Sequence, residues 1–408
     1  MTEKFKGNNF PNLRFPGFEG DWEVKKLGEL LEFKNGINAS KEQYGKGVKF
    51  INVLDILNND FITYENIIGK VDVDANIIEK FSVQYGDILF QRSSETREEV
   101  GTANVYLDKT NNATFGGFVI RGKKVGDYNP IFFNKLLKTN SARESITSKS
   151  GGSTRFNVGQ EILSSIVLCF PTLLEQQKIA SFLSLIDERI TTQKKIIEEL
   201  EKMKFSIAKK LFLQKLRYKD ENGNEFPNWE VAKLKEIGIF FSGGTPLTSK
   251  KKYFNGDIPF IRSGEINSAY TEQYISTEGL KNSSAKMIEV GDLIYALYGA
   301  TSGEVGISQI KGAINQAILC IRTNMNNIFL LNYLKIQKEN IIKTYLQGGQ
   351  GNLSAEIIKS LQIPVPFPEE QSKIAELLLS LDEKINLEND LLSQYEKQKK
   401  YLLTNLFI

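Results

Sequence analysis

The chain has no histidine among its 408 residues, and this absence excludes several kinds of chemistry at once. A Ser-His-Asp or Cys-His nucleophile, a zinc site that needs imidazole and a histidine general base cannot be built. Cysteine is nearly absent as well. Cys169 and Cys320 each lie in a short apolar run, "SIVLCF" and "AILCIRT", and we expect both to be buried strand residues. Any catalysis would therefore depend on carboxylates, lysines or tyrosines.

Long apolar runs and a strong charge imbalance are also missing. No run approaches the roughly 18 residues of a membrane span, and the start "MTEKFKGNNF" lacks a signal-peptide pattern. We therefore expect a cytoplasmic protein. With 52 Lys and Arg against 49 Asp and Glu, the net charge of +3 permits a nucleic-acid partner without indicating one. The length predicts about two to three globular domains.

An internal repeat is the strongest feature that is present. The phrase "EQQKIASFLSLIDERI" begins at Glu175 and returns as "EQSKIAELLLSLDEKI" at Glu370, 370 − 175 = 195 residues later, with 9 of 16 positions identical. "GDILF" at Gly86 matches "GDLIY" at Gly291, and "NVGQEIL" matches "NLSAEII". The order is kept and the offset drifts slowly, as expected of duplicated domains with loop insertions.

Each repeat has two parts. The first contains many glycines and short β-type runs, with some helical stretches, and predicts a mixed α/β (α+β) domain with a largely antiparallel sheet. The second is one long helix. The predicted blocks are a first domain at 1–171, a central spacer helix at 172–217, a second domain at 218–368 and a C-terminal spacer helix at 369–408.

Both helices show a heptad pattern over about four repeats, which predicts a coiled coil. The predicted seam positions are Ile179, Leu183, Ile186, Ile190, Gln193, Ile197, Leu200, Ile207, Ile374, Leu378, Leu381, Ile385, Glu388, Leu392 and Leu402. Lys204 and Lys399 occupy equivalent a positions. Parallel, in-register packing would set these two lysines against each other, and buried like charges are costly. The pattern therefore favours antiparallel helices.

Antiparallel packing about a point near Gln193 and Glu388 would let the amide and the carboxylate meet at the centre. About 38 residues per helix give a rod on the order of 55–60 Å long. The end of the second helix, joined to the start of the chain, would rebuild the linker that connects the two repeats. We therefore expect a closed, pseudo-two-fold symmetric arrangement.

The sequence lacks a recognisable active site. "DYNPIF" at Asp127 has only one of the two prolines of an amino-methyltransferase turn, and Asn129 as helix N-cap with Pro130 at the first helical position explains it better. "FGGF" at Phe115 does not lie between a strand and a helix start, as a nucleotide loop would. No Walker A sequence or metal-ligand cluster occurs. We predict a non-catalytic chain that carries no metal or cofactor.

Polar, glycine-rich loops are the best candidates for a binding surface. They combine Lys and Arg, which suit phosphates, with Asn, Gln and Ser, which suit base edges. The loops differ between the repeats although the frames agree, which suggests two half-sites of different DNA sequence. The candidate DNA-binding residues are Lys34, Asn35, Lys41, Gln43, Tyr44, Arg92, Ser93, Ser94, Arg97, Ser153, Thr154, Arg155, Gly243, Gly244, Thr245, Lys250, Lys251, Lys252, Tyr253, Arg262, Tyr298, Thr301, Gln316, Gln347, Gln350 and Asn352.

These segments together resemble the specificity (S) subunit of type I restriction–modification systems, the HsdS family. The resemblance covers nearly the whole chain and depends on "GD(I/L)(L/I)", "GGTP", "SGGSTRFNV", "QGGQGNLS" and the closing "IPVPFPEEQSKIAELLLSLDEKI". It implies two target-recognition domains, each reading half of a bipartite, asymmetric double-stranded DNA target. It also implies that two antiparallel helices act as a molecular ruler between these domains.

The resemblance further implies partner subunits. Two modification subunits would carry S-adenosylmethionine and methylate adenine, and restriction subunits would carry the ATP- and Mg-dependent translocase and nuclease. The long helices would be the docking surface for the modification subunits.

"LCFPTLLEQQKIA" departs from the pattern by one lost proline, and "RSSETREEVG" lacks the glycines of "YGATSGEVG". An alternative is a coiled-coil interaction scaffold that does not read DNA. An enzyme that works by carboxylates is disfavoured because no paired carboxylate signature occurs.

Overall fold

The structure is a computed structural model that describes residues 9–345 and 352–408. The chain forms two compact units, which do not follow its linear order. The first consists of Met1–Gln193 with Leu391–Ile408, and the second of Lys194–Asp390. Each unit therefore includes part of both long helices. The four linear blocks expected from the sequence stay a prediction.

The first unit contains a mixture of short strands and helices and the beginning of one long helix. Its elements are β1 (Glu23–Lys26), α1 (Leu27–Leu30), β2 (Leu31–Asn35), β3 (Tyr44–Ile51), α2 (Val53–Leu57), β4 (Lys70–Val71), α3 (Ala75–Lys80), β5 (Ile88–Gln91), β6 (Ser93–Ser94), β7 (Ala103–Val105), β8 (Thr114–Phe115), β9 (Val119–Lys124), α4 (Pro130–Leu136), α5 (Asn140–Thr147), β10 (Phe156–Asn157), α6 (Gln160–Ser164), β11 (Val167–Phe170) and α7 (Leu173–Phe212), which continues into the second unit.

The second unit repeats this order with small changes. Its elements are β12 (Glu230–Lys233), β13 (Gly238–Ser242), β14 (Phe254–Ile261), β15 (Tyr274–Ile275), α8 (Thr277–Lys281), β16 (Lys286–Ile288), β17 (Leu293–Ala296), β18 (Val305–Ile307), β19 (Gly312–Ile314), β20 (Ile318–Thr323), α9 (Asn327–Tyr345), α10 (Ala355–Ser360), β21 (Gln362–Val365) and α11 (Pro368–Asn405), which ends in the first unit.

The same sheet lies at the centre of each unit. The first unit has an antiparallel sheet of strand order β2-β9-β5-β7, and the second has β13-β20-β17-β18. A second sheet in each contains a parallel pair, β3 with β8 and β14 with β19. The predicted mixed α/β fold with a largely antiparallel sheet is confirmed.

Apolar strand residues form the cores, since the central strands are covered on both faces. All four residues of β5 are buried, as are all four of β17. Cys169 on β11 and Cys320 on β20 are both buried and free, as the sequence predicted.

The helical segment after the central sheet differs between the units. In the first it is divided into α4 and α5, because Thr139 accepts a hydrogen bond from Ala142 N (3.4 Å) and caps a new helix. In the second it is the single helix α9. Asn129 caps α4 by accepting from two backbone N–H groups, with Pro130 at the first helical position, so this prediction is confirmed.

The glutamate that begins the repeated phrase anchors each unit to a long helix. Glu370 is fully buried, and its carboxylate accepts hydrogen bonds from Arg217 Nη2 (3.0 Å) and Trp229 Nε1 (2.8 Å). Glu175 accepts from Arg14 Nη2 at 2.8 Å in the first unit. Because a buried carboxylate is costly unless it is paired, both the acid and its arginine are required here.

The glutamine that follows ties the long helix to the helix at the edge of the sheet. Gln176 Oε1 accepts from Asn129 N (2.9 Å), and its Nε2 donates to the Pro171 carbonyl (2.9 Å). Gln371 accepts from Asn326 N (3.0 Å) in the same way. These contacts give a physical reason for the "EQ" pair at the start of both phrases.

The start of the described chain meets the end of α11 within the first unit. Leu13 N donates to the Asn405 carbonyl (2.9 Å), and Phe407 packs against Phe132 with ring centroids 5.2 Å apart. Phe212, at the end of α7, packs on Phe329 at 5.3 Å in the second unit. This agrees with the expectation that the two chain ends together rebuild the linker.

The two long helices pack together and run antiparallel within each unit. In the first, Asp187 of α7 pairs with Lys399 of α11 (2.6 Å). Arg189, two residues after Asp187, lies over the ring of Tyr395, which is four residues before Lys399. In the second, Lys204 pairs with Asp382 (2.5 Å). Each a-position lysine therefore meets a carboxylate of the other helix and not the other lysine. The predicted antiparallel direction is confirmed.

The predicted seam positions are buried or half-buried. Ile179, Leu183, Ile374 and Leu378 are almost fully buried. A contact between Gln193 and Glu388 at the centre stays a prediction, as does the coiled-coil geometry.

Candidate nucleic-acid interface

Three loops with candidate residues come together at one edge of the first unit. β6 pairs with β10, so the segment after β5 lies beside the Gly-rich segment 151–157. Gly151 and Asn157 exchange two backbone hydrogen bonds of 3.0 and 2.8 Å. The result is an open groove of about 730 Å³, which we call the amide groove. Its polar lining consists of Asn35, Arg92, Asn157, Gln160 and Glu161, with Gly151 and Gly152 beside them.

The first of these loops enters the amide groove through Asn35, the last residue of β2. With the Gln160 amide assigned in the orientation that satisfies its neighbours, its nitrogen donates to the Phe33 carbonyl (3.0 Å) and its oxygen accepts from the Asn35 side-chain nitrogen (3.2 Å). Arg92 is exposed, and its Nη1 reaches the Gly117 carbonyl at 3.4 Å. Among the described residues, no carboxylate forms an ion pair with Arg92.

The other candidates of the first unit are divided between surface and interior. Lys41, Tyr44, Arg97, Ser153, Thr154 and Arg155 are exposed, and Gln43 and Ser93 are half-buried. Ser94 is buried and its hydroxyl donates to Glu99 (3.0 Å), so it supports the loop from inside. Lys34 donates to the Lys80 carbonyl (3.1 Å); burial and then the nearby charge of Lys80 lower the pKa of Lys34.

A smaller polar cluster lies at the matching edge of the second unit. Thr245 Oγ1 donates to Gln316 Oε1 at 2.8 Å, and Gln316 is exposed. Burial raises the pKa of the half-buried Tyr298, and a hydrogen bond to Gln316 opposes that rise. Thr301 is half-buried and Asn352 is exposed. Gln347 and Gln350 lie outside the described residues.

The basic cluster of the second unit is exposed and partly paired. Lys250, Lys251 and Lys252 are all exposed, and Lys252 pairs with Glu278 (2.5 Å). Tyr253, in contrast, is only 3% exposed and supports the lysines, since Lys250 and Lys252 lie 5.2 and 5.8 Å from the centroid of its ring.

Arg262 is bound to two carboxylates. Its Nη2 lies 2.8 Å from Glu265 and 2.7 Å from Glu272. These hydrogen bonds raise the pKa of Arg262. Burial alone would raise the pKa of Glu265, but the bond from Arg262 and backbone donors lower it to about 2. A base contact by Arg262 would have to displace one of these partners.

Gly243 and Gly244 are needed for packing. A Cβ on Gly243 would lie 1.7 Å from the Ile314 carbonyl oxygen, and one on Gly244 would lie 1.9 Å from Ser284 Oγ. The "GGTP" loop therefore contains glycines because the chain passes close to Ile314 of β19 and to Ser284, and this reason is independent of DNA.

The two edges share one frame. Val158 N donates to the Arg92 carbonyl (3.0 Å), and Leu353 N donates to the Leu297 carbonyl (2.9 Å) at the equivalent place. Sequence reasoning missed Asn157 and Gln160, which are both part of the amide groove. Their signal was present in the repeat, because "NVGQEIL" and "NLSAEII" differ at Gln160 and agree at Asn157.

The described residues contain no group of three or more His, Cys, Asp or Glu side chains that could hold a metal ion. Nor does any helix in the described ranges have the length and apolarity to span a membrane.

A family model described as "Type I restriction modification DNA specificity domain" matches residues 19–202 and 227–397. The chain belongs to this family. It is a DNA specificity subunit of the type I restriction–modification class, which is non-catalytic and works with enzymatic partner subunits. The alternative of a scaffold that does not read DNA is not favoured.

Similar proteins cover the chain almost end to end. The type I restriction enzyme MjaVIII specificity subunit of Methanocaldococcus jannaschii is 26% identical, over all of this chain and 96% of that protein. The MjaIX specificity subunit of the same organism is 25% identical over 90% of this chain and 88% of that protein. The S subunit from M. genitalium has the same fold, with a TM-score of 0.57, 19% identity and coverage of 98% and 99% of the two chains.

Proposed function

We propose that each unit of this specificity subunit reads one half of a bipartite, asymmetric double-stranded DNA target. The observation that carries this proposal is that the two units have the same arrangement of strands and helices but different polar side chains at the equivalent edge. Because the two arrangements agree, their loops lie at equivalent places. Loops with different side chains at these places would then read different base sequences. The long helices, which run through both units, would set the spacing of the half-sites.

The partners follow from the class of complex. We propose that two modification subunits dock on the long helices and supply S-adenosylmethionine and adenine methylation, and that restriction subunits supply ATP- and Mg-dependent cleavage. This chain would then need no cofactor of its own and would act in the cytoplasm with its DNA. Exposed leucines on α7 support a docking role, because Leu174 and Leu185 are spaced by about three helical turns and are 73% and 59% exposed.

Selection of bound duplexes from a random library tests the proposal. The subunit, purified with its modification partner, should enrich one split sequence in a salt-dependent manner. Retention of random duplexes without preference would contradict it.

Replacing Lys250, Lys251 and Lys252 by Ala should weaken binding to all sequences alike. Each phosphate contact that is lost should reduce the slope of log K against log salt by about 0.9. Titration of labelled duplex at several salt concentrations measures this. The double change Lys233→Ala, Lys235→Ala is the control, because both lysines are exposed and lie outside the long helices and the candidate DNA-binding residues. Unchanged affinity and slope in the triple variant would show that this cluster does not contact DNA.

Leu185→Glu should prevent assembly with the modification subunit without unfolding the chain. A charge in an apolar contact costs binding about tenfold or more, whereas an exposed site tolerates it. Co-purification and analytical gel filtration measure the loss. Leu54→Glu is the matched control, since Leu54 is 66% exposed and lies outside the long helices. Normal assembly of the Leu185 variant would place the docking surface elsewhere.

A further inference from the structure

The duplication provides an internal comparison of the two reading edges. The sheet register pairs Asn35 with Ile120 in the first unit and Ser242 with Leu319 in the second, so Asn35 corresponds to Ser242. The matching backbone bonds make Arg92 equivalent to Leu297.

The same comparison extends to the helix that follows. The aligned starts of α6 and α10 make Gln160 equivalent to Ala355. At three positions around one groove, the first unit therefore has an amide or a guanidinium where the second has a small or apolar side chain.

Residues that are the same in both units belong to the structure that the units share. Asn157 corresponds to Asn352, and it stabilises its own loop by accepting from the Ser93 hydroxyl and donating to the Arg155 carbonyl (3.1 Å). Glu161, the acidic residue of the lining, corresponds to Glu356. These two positions cannot distinguish one half-site from the other. Among the polar side chains that line the groove, Asn35, Arg92 and Gln160 are the ones that differ between the units.

We propose that Asn35, Arg92 and Gln160 determine the base preference of the first unit, and that the paired amides of Asn35 and Gln160 read an adenine. This inference depends on the proposed DNA-reading function and names the residues and the base class. An amide offers one acceptor and two donors, which matches the N6 donor and N7 acceptor of adenine in the major groove. With the Gln160 amide oriented so that its nitrogen faces the Phe33 carbonyl, its oxygen faces Asn35, and this contact would hold the two side chains beside each other before DNA arrives.

Arg92 complements this pair with a positive charge. Its guanidinium bonds only weakly to the Gly117 carbonyl (3.4 Å), and it is free of carboxylate partners among the described residues. An arginine in this state can contact a guanine edge or a phosphate without breaking an ion pair. Arg262 in the second unit is different, because two carboxylates hold it.

The test is to give the first unit the side chains of the second. The variant Asn35→Ser, Arg92→Leu, Gln160→Ala, assembled with the modification subunit, is used in selection from a library randomised in both half-sites. We expect discrimination to fall about 5- to 150-fold at an A·T pair of one half-site. Selection in the other half-site should be unchanged, which shows that the complex is folded and bound.

Matched controls separate the possible failures. Gln84→Ala, at an exposed glutamine four residues before β5, should change nothing. If the parent selects no split sequence, the proposed function is wrong. If the parent selects one and the triple variant keeps the same preferences in both half-sites, these residues do not specify the base. Loss at a G·C pair alone would overturn the adenine assignment. If the triple variant fails to assemble, the single change Gln160→Ala decides: an unaltered profile would overturn the proposal.

Discussion

Glu370→Ala is expected to lower the free energy of unfolding of the second unit by about 3 to 5 kcal/mol. The carboxylate is fully buried and accepts from Arg217 Nε (3.2 Å), Arg217 Nη2 (3.0 Å) and Trp229 Nε1 (2.8 Å). Its removal leaves the Trp229 indole N–H without this acceptor and the part-buried Arg217 guanidinium without this counter-charge, although Arg217 Nη2 keeps the Phe226 and Pro227 carbonyls. The desolvation cost of these groups is then no longer compensated.

Urea unfolding followed by tryptophan fluorescence measures this effect directly. The chain has only two tryptophans, Trp22 and Trp229, and each donates to one of the two anchoring glutamates. Glu370→Ala should therefore change the environment of Trp229. Glu369→Ala is the control, because the adjacent carboxylate is exposed and forms an i,i+4 pair with Lys373 at 3.3 Å. Equal stability of the two variants would show that the anchor is not required.

Asp187→Ala is expected to destabilise the first unit by about 3 kcal/mol or more. Asp187 binds Lys135 (2.5 Å), whose side chain is only 4% exposed, and Lys399 (2.6 Å) on the other long helix. Without the carboxylate, the almost fully buried ammonium group of Lys135 and the partly exposed one of Lys399 both lose this counter-charge. Chemical denaturation of the variant measures the loss, with Glu188→Ala at the next, exposed position of α7 as the control.

The contribution of Asp187 should also depend on pH. Burial alone would raise the pKa of Asp187, but the ammonium groups of Lys135 and Lys399 outweigh burial and hold it below the ordinary value. A carboxyl with a lowered folded pKa stabilises fully above its unfolded pKa, about 3.9, and this stability is lost as the pH falls through the folded pKa. The difference between the parent and Asp187→Asn should therefore be constant near neutral pH and shrink below about pH 4. A constant difference down to pH 2 would contradict the assignment.

Much of the fold could be predicted because it depends on local patterns repeated twice. The heptads predicted two long helices, and the charges of Lys204 and Lys399 predicted their direction. The structure adds the reason, since each lysine meets an aspartate of the partner helix, Asp382 or Asp187. These aspartates occupy equivalent positions in the two repeated phrases. The sequence showed that they are identical, but not that they pair with the lysines.

The candidate interface was predicted less completely. Loop composition drew attention to Asn35 and Arg92, which line one groove, and their contact with DNA stays a prediction. It also included Ser94 and Tyr253, whose side chains are buried. Composition reports which groups a loop contains, whereas burial depends on how distant segments pack. Gln160 was missed because it lies at the start of a short helix and enters the groove only through the pairing of β6 with β10.

The sequence by itself determined the duplication, the class of fold and the direction of the long helices, because these follow from periodicity and from the cost of burying like charges. Only the tertiary structure decided why the phrase beginning "EQ" occurs twice. In each unit the glutamate satisfies an arginine and a tryptophan from a distant linker, and the glutamine ties the long helix to a helix cap. Such contacts join residues more than 40 positions apart, so no local pattern contains them.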